Sequence, residues 1–269
     1  MSRLIARLGF ALAFAACVGT TGGHLVTFTA YASGPADAAS PLTFDTPAGF
    51  HVTLTSAAMH IGAAYLTTTP QNVSSVNTSC IEPGQYIAEV PGGVDVNLLS
   101  AAPQPFSVPG DGTVGRALSG EIWLTGGAIN ATIDTTKVVR LEGTATRDGS
   151  TWPFDASVTI GANRTKPVGD PSLPGLNPIC KRRIVQVSPI DAAVVAGASL
   201  YVRVDPRGWF DSVDFSALDL VQTTPSTLYE IPDSDQSPTA GAAAGRNLFT
   251  GILTGVLPSG SSAIRFTFE

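Results

Sequence analysis

VRLEGTATRDGSTWPFDASVTI, residues Val139–Ile160, is the stretch whose reading decides the fold. Val139, Leu141, Gly143 and Ala145 share one face of an extended chain, and Phe154, Ala156, Val158 and Ile160 share another, the period of two that marks half-buried strands. Between them Asp148-Gly149 supplies the two positive-φ positions of a type I′ turn, so the stretch reads as a hairpin. Its register is strongly specified, because a slip of one residue turns a whole apolar face to solvent.

Working outward, the same alternation recurs. It appears in His24, Val26, Phe28 and Ala30; in Tyr86, Ala88 and Val90; in Val94, Val96 and Leu98; and in Leu118, Ile122 and Leu124. Towards the end of the chain it returns in Leu200, Val202 and Val204 and in Ile264, Phe266 and Phe268. Turn signals punctuate these runs at Pro91-Gly92-Gly93, Pro109-Gly110-Asp111-Gly112 and Gly126-Gly127. With 28 glycines and 20 prolines spread along 269 residues, 43% hydrophobic and 13% charged, the chain can bury a full-sized core. Many short strands without strand–helix alternation predict an all-β fold, an antiparallel β-sandwich of jelly-roll or Ig-like type with minor short helices. The helical candidates are Pro206–Phe210, Ser212–Leu220 and Gly241–Gly255. An outer-membrane barrel needs strands of about ten residues with aromatic girdles, whereas these runs are shorter and aromatics are 7%.

The first residues carry Arg3 and Arg7, a nine-residue apolar run from Leu8 to Ala16, and then Cys17. A helix of that length rises only about 14 Å, too short to cross a bilayer, so residues 1–16 read as a signal peptide. Phe14-Ala15-Ala16-Cys17 matches the bacterial lipobox, with Phe14 in place of the usual Leu. The competing site follows Ala32 in Ala30-Tyr31-Ala32, and cleavage there would give a secreted protein. The lipobox is preferred because it closes the apolar run directly, while HLVTFTA from His24 already alternates as a strand that should survive processing. Residues 17–23 then form a lipidated tether and residues 24–269 the domain, with a sub-division near 163–180, a proline-rich loop or linker.

Cysteine parity agrees. Cys17, Cys80 and Cys180 make an odd total; assigning Cys17 to lipid leaves Cys80 and Cys180 as a disulfide pair in an oxidising compartment. Closing a loop of about 100 residues would contribute up to ~4.7 kcal/mol in the chain-entropy model.

Signatures of catalysis are missing: no G-x-S-x-G elbow, no H-E-x-x-H, no Walker loop and no dinucleotide fingerprint. No catalytic residue or cofactor is assigned, and a secreted hydrolase is a remote alternative. Nucleic acid is disfavoured as a partner. Removal of Arg3 and Arg7 makes the net charge of −6 more negative still, and the one compact basic run is Lys181-Arg182-Arg183.

The segment HVTLTSAAMHIGAAYL, His51–Leu66, changes parity inside: Val52 and Leu54 are even, whereas Met59, Ile61, Ala63 and Tyr65 are odd. A bulge in one continuous strand would leave His51 and His60 about 30 Å apart. A turn at Thr55-Ser56 would instead set the two histidines face to face, where with Met59 they could bind copper or zinc. Thr-Ser is poorly suited to positive φ, so the bulge is preferred and no metal ligand is committed. Asp205, Asp211, Asp214, Asp219, Asp233 and Asp235 make a calcium site conceivable, although capping or solvent exposure is the ordinary fate of loop acids. Trp123, Trp152 and Trp209 could line a carbohydrate platform, but Trp123 lies on the opposite parity from Ile122 and Leu124, whereas Trp152 shares that of Phe154.

Taken together, Phe14–Cys17, the Thr-Gly-Gly tether, VTLTSAAMHIGAAYL and Val204–Phe210 resemble lipoproteins of high-GC Gram-negative bacteria to which no activity is assigned. The resemblance implies export, anchoring and a β-rich domain. A residue other than Asp after the lipidated cysteine, here Val18, implies the outer membrane. The function expected is a cell-envelope binding or structural role for an unknown protein or small ligand, with a metal-binding envelope protein as the runner-up.

Overall fold

The computed structural model describes residues 23–70, 86–124, 136–159, 184–223, 225–233 and 241–269. These fold into two sheets, which share one hydrophobic core, with a single α-helix. The larger sheet contains β1 (Leu25–Ser33), β4 (Ala63–Thr67), β5 (Tyr86–Val90), β7 (Gln104–Pro105), β8 (Gly110–Thr113) and β9 (Gly115–Leu124). It is completed by β12 (Ile184–Val194), β13 (Ser199–Val204) and β16 (Ile264–Phe268), in the order β12-β9-β4-β5-β8-β1-β13-β16 with β7 also on β1. The sheet curls until its end strands nearly meet, and Ser188 Oγ of β12 donates to the Ile264 carbonyl of β16 at 2.6 Å.

The second sheet runs β14 (Asp219–Gln222), β15 (Leu228–Ile231), β11 (Ser150–Thr159), β10 (Lys137–Arg147), β3 (His51–Ile61) and β2 (Leu42–Asp45), with β6 (Val94–Asn97) on β3. Asp148 (φ 51°) and Gly149 (φ 79°) make the expected tight turn of the β10–β11 hairpin. The bulge is also present. β3 is one continuous strand whose register against β10 shifts between Glu142 and Gly143, opposite Thr55, so that Val52 and Leu54 before it and Ala57, Met59 and Ile61 after it all face inward.

Three expectations need correction. The odd parity does not continue past Ile61: at Gly62 the chain leaves the second sheet for the first, and Ala64 and Leu66 face the core while Tyr65 turns outward. Pro109-Gly110-Asp111-Gly112 is not a turn, because Gly110–Thr113 is β8, threaded between β5 and β1. Its glycines answer crowding. A β-carbon at Gly110 would lie 2.4 Å from the Phe28 ring, and one at Gly112 would lie 2.8 Å from Ile87 O. The architecture is not purely antiparallel either, since β1 pairs β13 and β11 pairs β15 in parallel. The partners are distant in sequence (Thr29 opposite Ser199), with intervening chain long enough for a crossover.

The three helical candidates are present in compact form: 3-10 segments at Pro206–Trp209 and Phe215–Ala217, and α1 at Ala242–Thr254. Asp205 and Asp214 cap the two short segments, accepting from the backbone N–H groups of Arg207 and Ser216. Phe210 and Phe215 carry these segments into the core against Phe50 and Phe154, with ring centroids 4.9–6.0 Å apart. Strands from before residue 160 and after residue 183 interleave in both sheets. Cys17, Cys80, Cys180 and residues 163–180 lie outside the described residues. Among the described residues no helix is long and apolar enough to cross a membrane.

Candidate functional site

The face of the larger sheet turned away from Ile122 and Leu124 carries a group of polar and aromatic side chains. Cross-strand pairing sets Tyr65 opposite Glu121, Thr67 opposite Ser119, and Ala63 opposite Trp123. Because alternate residues share a face, Ser119, Glu121 and Trp123 of β9 project together on the side away from Ile122 and Leu124. Glu121 is fully buried there. Its Oε2 accepts from Trp123 Nε1 at 3.1 Å and from the Tyr86 hydroxyl at 3.4 Å. The Tyr65 ring lies 4.3 Å from Trp123 and 5.1 Å from Tyr86, so three aromatic rings surround one carboxyl group. Beside them the buried hydroxyls of Thr67 and Ser119 lie 2.7 Å apart, and each reaches the Thr69 carbonyl. With Glu121, Thr67 and Ser119 all buried, these contacts satisfy polar groups within the protein rather than present them to solvent.

The three residues weighed as metal ligands are not brought together. Met59 points into the core, on the opposite face from His60. His51 and His60 stand near the two ends of β3, and each bonds the aspartate directly across on the neighbouring strand. His51 Nδ1 lies 2.8 Å from Asp45 Oδ1, and His60 Nδ1 lies 2.8 Å from Asp95 Oδ1. His51 borders a shallow surface depression with Arg147 and Asp148, and His60 one with Gln104, Lys137 and Arg140. Each pair is an ordinary cross-strand polar contact at the edge of such a depression.

Trp123 is half-buried in the aromatic group, Trp152 packs edge-on against Phe50, and Trp209 is wholly in the core, so the tryptophans do not line one surface. The loop acids are dispersed in caps and local contacts. Asp219 accepts from Gly241 N, Asp233 accepts from Thr159 N, and burial raises the Asp211 carboxyl above its ordinary value. Asp235 is outside the described residues. Asp205, buried, shares Arg207 with Asp37, and both carboxylates are bidentate on the guanidinium. Arg207 is held above its ordinary value by Asp205 first and then Asp37, and Arg207 in turn lowers Asp37. This clasp ties the end of β13 to the loop after β1.

Sequence reading passed over Glu121. Its one signal was a carboxylate directly before the apolar run Ile122–Leu124, on the parity of Trp123.

The fold and this group of residues define an all-β, two-sheet protein with a polar-aromatic face. No protein-family model and no curated protein matches the chain. Among solved structures it is similar to MbnP from Methylosinus trichosporium, at 12% identity over 91% of this chain and 98% of that one, with a TM-score of 0.37.

Proposed function

We propose that this chain is an exported cell-envelope lipoprotein, anchored through Cys17 in the outer membrane, whose β-sandwich binds a ligand or partner without catalysis. One observation carries the reading. β1 runs unbroken through Ala32, which is buried and paired with Val202 on one side and Gln104 on the other. Cleavage after Ala32 would remove a central strand of the larger sheet, whereas cleavage before Cys17 leaves the whole strand in the mature protein. The first strand then begins eight residues after the anchored cysteine.

Intact-mass spectrometry of the native protein tests this. The expected mass is that of a chain starting at Cys17 with acyl groups attached; a chain starting at Ser33 would overturn the reading. The same spectrum reports whether Cys80 and Cys180 are oxidised.

A further inference from the structure

We infer that one rim of the larger sheet, bearing Leu25, Val114, Val195 and Tyr86, rests on the membrane surface to which the chain is tethered; this builds on the anchored reading above. These side chains are 86%, 44%, 41% and 40% exposed, and they come from four separate places in the sequence. Strand pairing gathers them. Leu25 is opposite Thr113, so Val114 follows at the same level, and its N–H donates to the His24 carbonyl at 2.9 Å. Gly115 is opposite Val194, which puts Val195 beside them. Ala88 is opposite Gly112, and continuing that antiparallel register by two residues brings Tyr86 level with Val114.

Of the nearest charges, Arg116 is paired with Asp191 at 2.6 Å, while Asp111 and Glu89 face each other further along β8 and β5, where Asp111 accepts from the Thr27 hydroxyl. The opposite end of β1 and β13 carries the Asp37–Arg207–Asp205 clasp. Exposed aliphatics drawn from several strands to one end, with a tyrosine among them, fit the interface between water and hydrocarbon. Position supplies the second argument. Leu25 is eight residues after Cys17, and at ~3.5 Å per residue the lipidated cysteine is never more than about 28 Å from it. Tethering makes docking intramolecular, so a few apolar side chains suffice where they could not recruit a free protein.

The test uses the full lipidated chain in vesicles of phosphatidylethanolamine and phosphatidylglycerol brominated on their acyl chains. One tryptophan is added at a time, as Leu25→Trp, Val195→Trp or Val256→Trp. Val256 is 47% exposed but sits beyond α1, near the far end of β13, and serves as the comparison. Bromolipid should quench the emission added at residues 25 and 195 and leave that at 256 unchanged. Equal quenching at all three, or none, in protein whose mass shows acylated Cys17 would overturn the docking and leave the anchor standing. Protein without acyl groups at Cys17 would overturn both.

Discussion

Arg207 joins two carboxylates of very different exposure, and the consequences differ for each. Asp205 is buried, so Arg207→Ala leaves a buried carboxylate without its partner, a change that costs about 3–5 kcal/mol and should appear as a lower midpoint in urea unfolding. Asp37 is largely exposed, and its carboxyl is lowered by the hydrogen bonds from Arg207. A carboxyl whose folded value lies below its unfolded value contributes stability above the unfolded value, about 3.9, and loses it as pH falls through the folded one. The stability difference between the native chain and Asp37→Asn should therefore be constant from about pH 5 upward and shrink towards zero in stronger acid. Unfolding curves from neutral pH down to about pH 3 would check this; a difference independent of pH would contradict it.

Among elements, α1 shows how packing overrides propensity. Alanine is the better helix former by about 1 kcal/mol, yet a β-carbon at Gly251 would lie 2.3 Å from the Trp209 carbonyl oxygen and 2.7 Å from its Cα. Backbone cannot yield as a side-chain tip can, so Gly251→Ala should destabilise by about 1–3 kcal/mol, measured as a fall in Tm. The bulge in β3 makes a sharper case. Deleting Thr55 removes the extra residue and leaves Val52, Leu54, Ala57, Met59 and Ile61 on one face of a regular pleat. No buried aliphatic is turned outward, so the deletion variant should keep a single cooperative unfolding transition, and loss of that transition in urea would contradict this register.

For the whole molecule, β1 is the strand on which the larger sheet depends. It pairs β7 and β8 on one side and β13 on the other. A chain beginning at Gly23 should fold with the strand-dominated circular dichroism of the native domain, and one beginning at Ser33 should not. If the shorter chain folds equally well, the place of β1 in this structure is wrong.

Several features were legible in residues 51–66 and 139–160 before any tertiary contact was known, because they are local. Alternation shows which side of a strand is buried, Asp148-Gly149 specifies its own turn, and the parity change around Thr55 demands an extra residue. The acids at 205 and 214 likewise announce the short helical segments they cap. Alternation is silent about which strand lies alongside, and there the tertiary structure decided. It chose the crossing of sheets at Gly62, the parallel pairing of β1 with β13 across some 170 residues, and the use of Pro109–Gly112 as strand rather than turn. It also gathered Glu121 with Tyr65, Tyr86 and Trp123 from three strands. The physical reason is one of range: a side chain's preference for water or core is its own property, whereas the identity of its neighbour depends on how the whole sheet closes.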